Sequence, residues 1–443
     1  MFFIFVGKPL RMIRKFIPQL LMICLLFCTA SAQTITARQI KSILQSPFFE
    51  KLYANTYYSL VNRMENDGYL QESLTGAYEG MFCRSVGPMV AMLIETGRFK
   101  EAELMIQCAI NATQQYDMER IPHVIGKKNG TYTIISDEHQ IDGQAHVVWA
   151  WAKLALKRGH TQFEDDTWPF ISKIMSRTCD RTFLQTGFWS VETGLVRNIS
   201  FEHSREGRRW DTWDLLTQSF VGGALKGMSA VAARRSEVKL ADTWKTKLDL
   251  LKKGIATNLT TSRNGTTTYL EMRLPNSNGG LPYLGMGWVT LSPIAAEWEG
   301  LDHEVMRNTV KAMQQTMLKN TNGVVWMPTD SYPNGSVSNE IIGKGMGWEL
   351  DFASAEKDYA RIKQILDLIR IVNAPKPIYM EGGWLEGNGH KLSEQLSQQD
   401  LEHMKDAVWK TKDAGNGEQC AWWCWAMARL RREMGLTAMP KPL

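Results

Sequence analysis

The feature that most constrains this chain is the recurrence of amphipathic helical segments in pairs, joined by breaks of a few residues. The clearest pair runs from Arg84 to Thr96 and, after Gly97-Arg98-Phe99, from Lys100 to Gln115. Val86, Met89, Val90 and Leu93 share one stripe of the first segment, and Ala102, Met105, Ile106 and Ile110 one stripe of the second, the spacing of a helix with one apolar face. So short a connection forces the two helices to lie antiparallel. The rhythm returns at 144–158 with 163–179, at 215–233 with 241–256 and at 289–299 with 304–319, then less sharply at 352–371 and finally at 419–434.

Within a pair the first member is rich in small and apolar residues, as in Val221-Gly222-Gly223-Ala224-Leu225, and the second is more charged. That asymmetry suits a crowded inner ring wrapped by a solvent-facing outer one. An open α/α solenoid would also give pairs, but with repeats of near-constant length. Here the gaps after the second members vary widely and carry the Trp, Gly and carboxylate clusters. The pattern predicts an all-α fold, an (α/α)6 toroid of six helical hairpins, with short β-strands such as 131–135 and 266–273 on long loops that gather at one end to form a cleft.

Composition and the N-terminus set the context. With 44% hydrophobic and 22% charged residues among 443, the chain has ordinary globular composition and ample material for a core. Lys8, Arg11, Arg14 and Lys15 precede an apolar run from Phe16 to Cys28 and a small-residue stretch, Thr29-Ala30-Ser31-Ala32. This is the pattern of a cleaved secretory signal peptide over residues 1–32. The apolar run is too short for the ~20 residues that span a bilayer, so no membrane association is expected after cleavage, and the mature protein is expected to be periplasmic or extracellular. A lipoprotein cysteine at Cys28 is disfavoured by the bulk of Phe27 before it.

Loss of these residues removes four basic and no acidic side chains and lowers the net charge from +5 to +1, so no nucleic-acid partner is implied. Five cysteines remain, Cys83, Cys108, Cys179, Cys420 and Cys424. Their spacing gives neither a disulfide framework nor a metal site, and they read as buried thiols. After residue 32 nothing in the composition marks a linker, and residues 33–443 read as one domain.

Four clusters carry side chains suited to chemistry. In Gly80-Met81-Phe82-Cys83-Arg84-Ser85 a loop enters an inner helix. A cation is disfavoured at a helix N-terminus by the helix dipole, which tilts Arg84 toward a binding role. In Asp137 to His146, Gln140 and Asp142 lead into the next inner helix; Asp142 either caps that helix or contacts a ligand.

The third cluster runs from Gly187 through Trp189, Glu192, Glu202 and His203 to Trp210-Asp211-Thr212-Trp213-Asp214. Glu202 lies between Phe201 and His203, and an aromatic neighbour with partial burial would raise its pKa, as suits a general acid. Arg205, Arg208 and Arg209 could act the other way. The fourth comprises Tyr379-Met380-Glu381-Gly382-Gly383-Trp384 and, later, Glu418 opening the final helix with Trp422, Trp423 and Trp425. Paired glycines beside a glutamate let backbone approach a ligand closely. Glu381 is the candidate base and Glu418 its rival, although Glu418 could equally serve only to complement the helix dipole.

The order of these features resembles the six-hairpin glycosidases, the glucoamylase-like families above all. Phe82-Cys83-Arg84 enters an early inner helix, Gln140 to Gly143 enters another, a Trp/Glu loop follows in mid-chain, and a late Glu loop precedes a Trp-rich last helix. The resemblance implies a glycoside hydrolase acting by inversion on an oligo- or polysaccharide, with Glu202 as acid and Glu381 as base. Glu192, Glu418 and Asp142 are the alternatives for those roles, and Arg84, Gln140, Asp142, Trp189, His203 and Trp384 the expected sugar-binding residues.

This chain departs from such enzymes at Arg84-Ser85, where they carry Arg-Asp, so a binding carboxylate is missing there. Many of the 16 tryptophans stand beside glycine or acidic residues, where a flat ring can stack on a sugar, while others would fill the core. Three other readings share the toroid or its aromatic loops. They are an unsaturated uronyl hydrolase using Asp142, a polysaccharide lyase using a Tyr or His, and a non-catalytic carbohydrate-binding protein. No P-loop, dinucleotide glycine motif, nucleophile-elbow serine or His-Glu-x-x-His motif occurs in the sequence, and no cofactor or metal is expected.

Overall fold

The computed structural model describes residues 35–179, 188–189, 193–203, 208–274, 281–297, 302–374, 376–387, 389–390, 395–402, 404 and 406–442. The expected signal peptide lies outside them.

Chain entry is set by Thr36, whose hydroxyl accepts from the amide of Gln39 while the Gln39 side chain reaches back, a capping box at the start of α1 (Ala37–Leu44). Next comes α2 (Pro47–Val61). The expected pairs follow as α3 (Cys83–Glu95) with α4 (Phe99–Gln115), α5 (Ile141–Arg158) with α6 (Gln162–Thr178), and α7 (Leu215–Arg234) with α8 (Val238–Asn258). The fourth hairpin has a 3-10 turn, Trp288–Leu291, running into α9 (Ser292–Ala295), with α10 (His303–Met317) outside it. Then come α11 (Gly343–Ala355), α12 (Tyr359–Asn373), the short loop helix α13 (Gln398–Glu402) and α14 (Gly417–Glu433).

The first members of these hairpins make a closed ring. α3 packs on α5, α5 on α7, α7 on α9, α9 on α11, α11 on α14, and α14 back on α3. That last contact separates a toroid from an open solenoid. The ring is tight because small residues stand at the crossings. A Cβ added at Gly227 of α7 would fall 2.7 Å from the Cβ of Ala152 on α5, and one at Gly87 of α3 would fall 2.6 Å from the His146 ring.

Inside the ring Trp422 packs among Phe220, Trp149, Trp348, Trp425 and His146, with ring centroids 5.3–6.4 Å apart. The lumen is therefore solid core, each large ring contributing roughly 2–3 kcal/mol of burial. Trp422, Trp423 and Trp425 are fully buried, so the tryptophans of the last helix are packing residues. The five described cysteines are buried free thiols.

Two expected helices differ from those observed. The segment read as 352–371 is the end of one helix and most of another. Lys357 stands at φ 58°, in the left-handed region, and the Asp358 carboxylate caps α12 by accepting from the Arg361 amide at 2.9 Å. The beginning of α11 escaped the sequence reading because Gly343, Gly345 and Gly347 are poor helix formers. They are needed because a Cβ at Gly347 would fall 3.2 Å from the Trp422 carbonyl. The fourth inner helix, expected over 289–299, is cut to α9 with Pro293 in its first turn, and Glu297 turns away at φ 47°.

Strands stand on the loops. The 131–135 expectation is met by Thr131–Ser136, paired with Val124–Lys128. The 266–273 segment divides into Thr266–Tyr269 and Met272–Leu274. Val196–His203 and Arg208–Asp214 form an antiparallel hairpin leading into α7. Glu340–Ile342, Gly382–Glu386 and Val408–Lys412 form a three-stranded sheet before α14.

Candidate active site

The inner helices begin at one end of the ring, and their first residues touch one another there. Arg84, the second residue of α3, donates through Nε to Asp142 Oδ2 at 2.5 Å and through Nη2 to Gln140 Oε1 at 2.6 Å, both at the start of α5. Asn198, on the strand leading toward α7, donates to Asp142 Oδ1 at 3.2 Å and to the Thr217 hydroxyl at 3.0 Å. At α11, the Lys344 amide donates to Gln419 Oε1 of α14 at 2.6 Å. Lys344 Nζ lies 2.9 Å from Glu418 Oε1 and 4.0 Å from the centre of the Trp288 ring. Helix N-termini carry partial positive charge, so this mouth is a natural place for carboxylates.

An open pocket of about 120 Å³ occupies the mouth, lined by Glu72, Tyr78, Phe82, Arg84, Trp288, Ile342, Lys344, Glu381, Asn416, Glu418 and Gln419. Two glutamates flagged by the sequence, Glu381 and Glu418, share it. Glu381 enters at the end of the loop after α12. Its amide donates to the carbonyls of Lys412 and Asp413 and its own carbonyl accepts from the Gly343 amide, while Gly382 and Gly383 follow it as a strand in close contact with backbone on both sides. Glu381 Oε1 accepts from the Tyr78 hydroxyl at 2.8 Å and faces Lys412 Nζ at 3.1 Å. Its Oε2 has no hydrogen-bond partner among the described residues.

The charges in this pocket are strongly perturbed. Burial is the largest influence on Glu418 and pushes its carboxyl up, but the Lys344 ammonium and the Arg84 guanidinium more than offset it and hold the carboxyl below its ordinary range. Asp142 behaves in the same way. Burial raises it, and Arg84, His146 and His123 bring it below its ordinary value. Burial depresses the Lys344 ammonium, opposed by Glu418. Glu72 is pushed up to about 7, by burial first and by the Glu418 charge, against hydrogen bonds from Ser85 and the Glu418 amide.

Asp142 is fully buried and neither caps α5 nor reaches the pocket wall; it fixes Arg84, which does. Gln140, also buried, does the same from the other guanidinium nitrogen. Trp384 lies on the strand after Glu381, half-buried, with its indole N–H donating to Glu386 Oε1 at 2.9 Å. Glu202 and His203 stand on the strand Val196–His203, with Glu202 opposite Arg209 in register. Trp189 stands on the two-residue strand Phe188–Trp189. The side chains of these three, and Glu192 altogether, lie outside the described residues.

Sequence reading missed Glu72, Tyr78, Trp288, Lys344 and Asn416. Lys344 stands at an inner-helix start as Arg84 does, but the glycines on either side of it hide that start in the sequence. Glu72 could not be found, since it comes from an irregular loop with no periodic pattern. It nonetheless brings a carboxyl group to Ser85, whose hydroxyl donates to Glu72 Oε2 at 2.6 Å. A carboxyl group thus reaches the Arg84-Ser85 step from thirteen residues upstream.

No family model matches the sequence, and neither does any curated protein. Solved structures do match. A wild-type glycosidase superposes with a TM-score of 0.58 at 13% identity, covering 90% of this chain and 98% of that one. A metal-independent alpha-mannosidase from Streptococcus pneumoniae, in a complex with alpha-1,6-mannobiose, gives 0.63 at 10% identity over 90% and 97%. A bacterial glucoamylase complexed with acarbose gives 0.57 at 14% identity over 88% of this chain and 56% of that one. The fold is the (α/α)6 toroid. At these identities the likeness establishes architecture, and it agrees with the closed ring of inner helices described above.

Proposed function

We propose that this chain is an exported glycoside hydrolase, acting by inversion on an oligo- or polysaccharide at the mouth of the inner ring. The observation that carries the reading is the shared pocket of Glu381 and Glu418, walled by Tyr78, Phe82 and Trp288, with each glutamate paired to a lysine. Hydrolysis of a glycosidic bond needs one carboxyl group to protonate the leaving oxygen and one carboxylate to activate water. Glu381 takes the second role: Oε1 is fixed by Tyr78 and Lys412, and the buried Oε2, without a partner among the described residues, is a polar atom that a bound water would satisfy. The proton donor is Glu202, carried on the hairpin that Asn198 ties to the same rim.

In the reaction, water loses a proton to Glu381 as its oxygen bonds to the anomeric carbon. The bond from that carbon to the leaving oxygen breaks, and that oxygen takes its proton from Glu202. The Glu418–Lys344 pair offers an acceptor and a donor to sugar hydroxyls, and Arg84 further donors. The glycosidase, mannosidase and glucoamylase structures on the same toroid support this choice of substrate class. The test is proton NMR of a panel of oligosaccharides and aryl glycosides. Wild-type protein should release a sugar whose first-formed anomer is opposite to that of the substrate, and Glu381→Gln should lower kcat by about 10²–10⁴. New C=C absorbance in place of reducing sugar would indicate a lyase. Sugar binding without turnover would indicate a binding protein. Export predicts that the mature chain begins at Gln33 by intact-mass measurement.

A further inference from the structure

We propose that Glu72 is a positioning residue for the Glu418–Lys344 pair, pinning the start of α14 to α3 so that the pair keeps its place in the pocket. This rests on the reading of that pocket as a sugar site.

Glu72 has a fold position unlike that of any other carboxylate in the pocket. It belongs to the loop between α2 and α3, yet it takes the first two amides of α14. Its carbonyl accepts from the Gly417 amide at 2.7 Å and its Oε1 from the Glu418 amide at 2.9 Å. These are donors that a helix leaves unpaired at its N-terminus. Its Oε2 is taken by the Ser85 hydroxyl of α3 at 2.6 Å. One side chain thus ties the first turns of two neighbouring inner helices together. The fit is close, since a Cβ added at Gly417 would fall 3.1 Å from Glu72 Oε2.

The consequence reaches Lys344 along two paths from α14. The Glu418 carboxylate holds its ammonium at 2.9 Å, and Gln419 holds its amide at 2.6 Å. A shift of the first turn of α14 therefore moves both ends of Lys344 relative to Trp288. The groups facing Glu72 are Ser85 from α3, Glu418 from α14 and Arg63 beyond the end of α2. With Glu418 held ionised, a Glu72 carboxyl pushed up to about 7 avoids a second full negative charge against the same helix start.

Three variants, Glu72→Ala, Glu72→Gln and Ser85→Ala, test this with two readouts. The first is independent of any activity: hydrogen–deuterium exchange of the Glu418 amide, resolved by electron-transfer fragmentation. Exchange should be about tenfold faster in Glu72→Ala, the worth of one such hydrogen bond, and within about twofold of wild type in Glu72→Gln, which keeps the acceptor. The second is kinetic, on whichever glycoside the wild type cleaves. KM should rise about tenfold in Glu72→Ala with kcat changed less than about threefold, with Glu72→Gln restoring KM and Ser85→Ala lying between. Unaltered Glu418 exchange in Glu72→Ala, or a Gln variant as impaired as the Ala variant, would overturn the proposal. If Ala fails to fold, Ser85→Ala decides: accelerated exchange at Glu418 supports the tie between helices, and unchanged exchange removes it. If wild-type protein cleaves no glycoside, the hydrolase reading falls while the exchange readout still judges Glu72.

Discussion

Lys344 and Glu418 face each other across the pocket from two inner helices, 2.9 Å apart, both with little exposure to solvent. Neither could be so placed alone, because a buried unpaired charge costs far more than the pair gains. Lys344→Met should therefore destabilise the protein by about 3–5 kcal/mol, and Lys344→Met combined with Glu418→Gln by clearly less than that. Urea unfolding of the two single variants and the double variant measures the difference. A double variant no better than Lys344→Met would mean that the Glu418 charge is satisfied from elsewhere.

Stability should also vary with pH through Asp214. Its carboxylate caps α7, accepting from the Thr217 amide at 2.6 Å, and burial together with the nearby Asp142 charge pushes it up to about 7 from 3.8. A carboxyl whose folded pKa is raised stabilises fully below its unfolded pKa, and that stability is lost as pH climbs through the folded value. Asp214→Asn should thus gain about 1–3 kcal/mol relative to wild type between pH 4 and pH 8. His146 works in the opposite direction. Burial depresses it to about 4 from 6.5, so its contribution is present above 6.5 and is lost as pH falls through 4. Thermal unfolding of wild type and Asp214→Asn across pH 3–9 separates the two, since only the Asp214 component disappears in the variant.

The crossing of α5 and α7 depends on the absence of a side chain. Gly227→Ala would gain up to ~1 kcal/mol of helix propensity on an exposed helix, but here its Cβ would meet the Ala152 Cβ at 2.7 Å. Overpacking of that kind costs about 1–3 kcal/mol. A net loss in unfolding free energy is expected, and a net gain would mean that the ring is looser than these contacts imply.

Arg84 should not be replaceable by lysine. Its guanidinium meets Asp142 and Gln140 through two different nitrogens, a forked geometry that a single ammonium cannot copy. Arg84→Lys is expected to raise KM for a cleaved glycoside by about tenfold or more, and an unchanged KM would remove Arg84 from substrate binding.

Much of the toroid was legible because its helices announce themselves twice, by apolar spacing and by the contrast between small inner and charged outer members. The contrast failed at α11, where the loop backbone at 380–381, the Ile342 and Trp288 side chains and the α14 backbone crowd Gly343, Gly345 and Gly347 in turn, and three glycines erase the helical signal. It failed at the fourth hairpin, where Pro293 and Glu297 shorten the inner helix. Of the site, Arg84, Glu381 and Glu418 were visible because each sits against a helix start or paired glycines. Glu72 was not, because its partners stand 13 and 346 residues further along the chain. The tryptophans of α14 could not be assigned for a related reason, since a sequence does not distinguish a ring that fills a lumen from one that lines it.

The most direct measurement is a crystal structure of Glu381→Gln holding an oligosaccharide that the wild type cleaves. The hydrolase reading predicts the scissile bond in the pocket above Trp288, with Glu202 on one side and residue 381 on the other, their carboxyl and amide groups about 6.5–9.5 Å apart. A sugar bound elsewhere, or Glu202 turned away from the scissile oxygen, would contradict it.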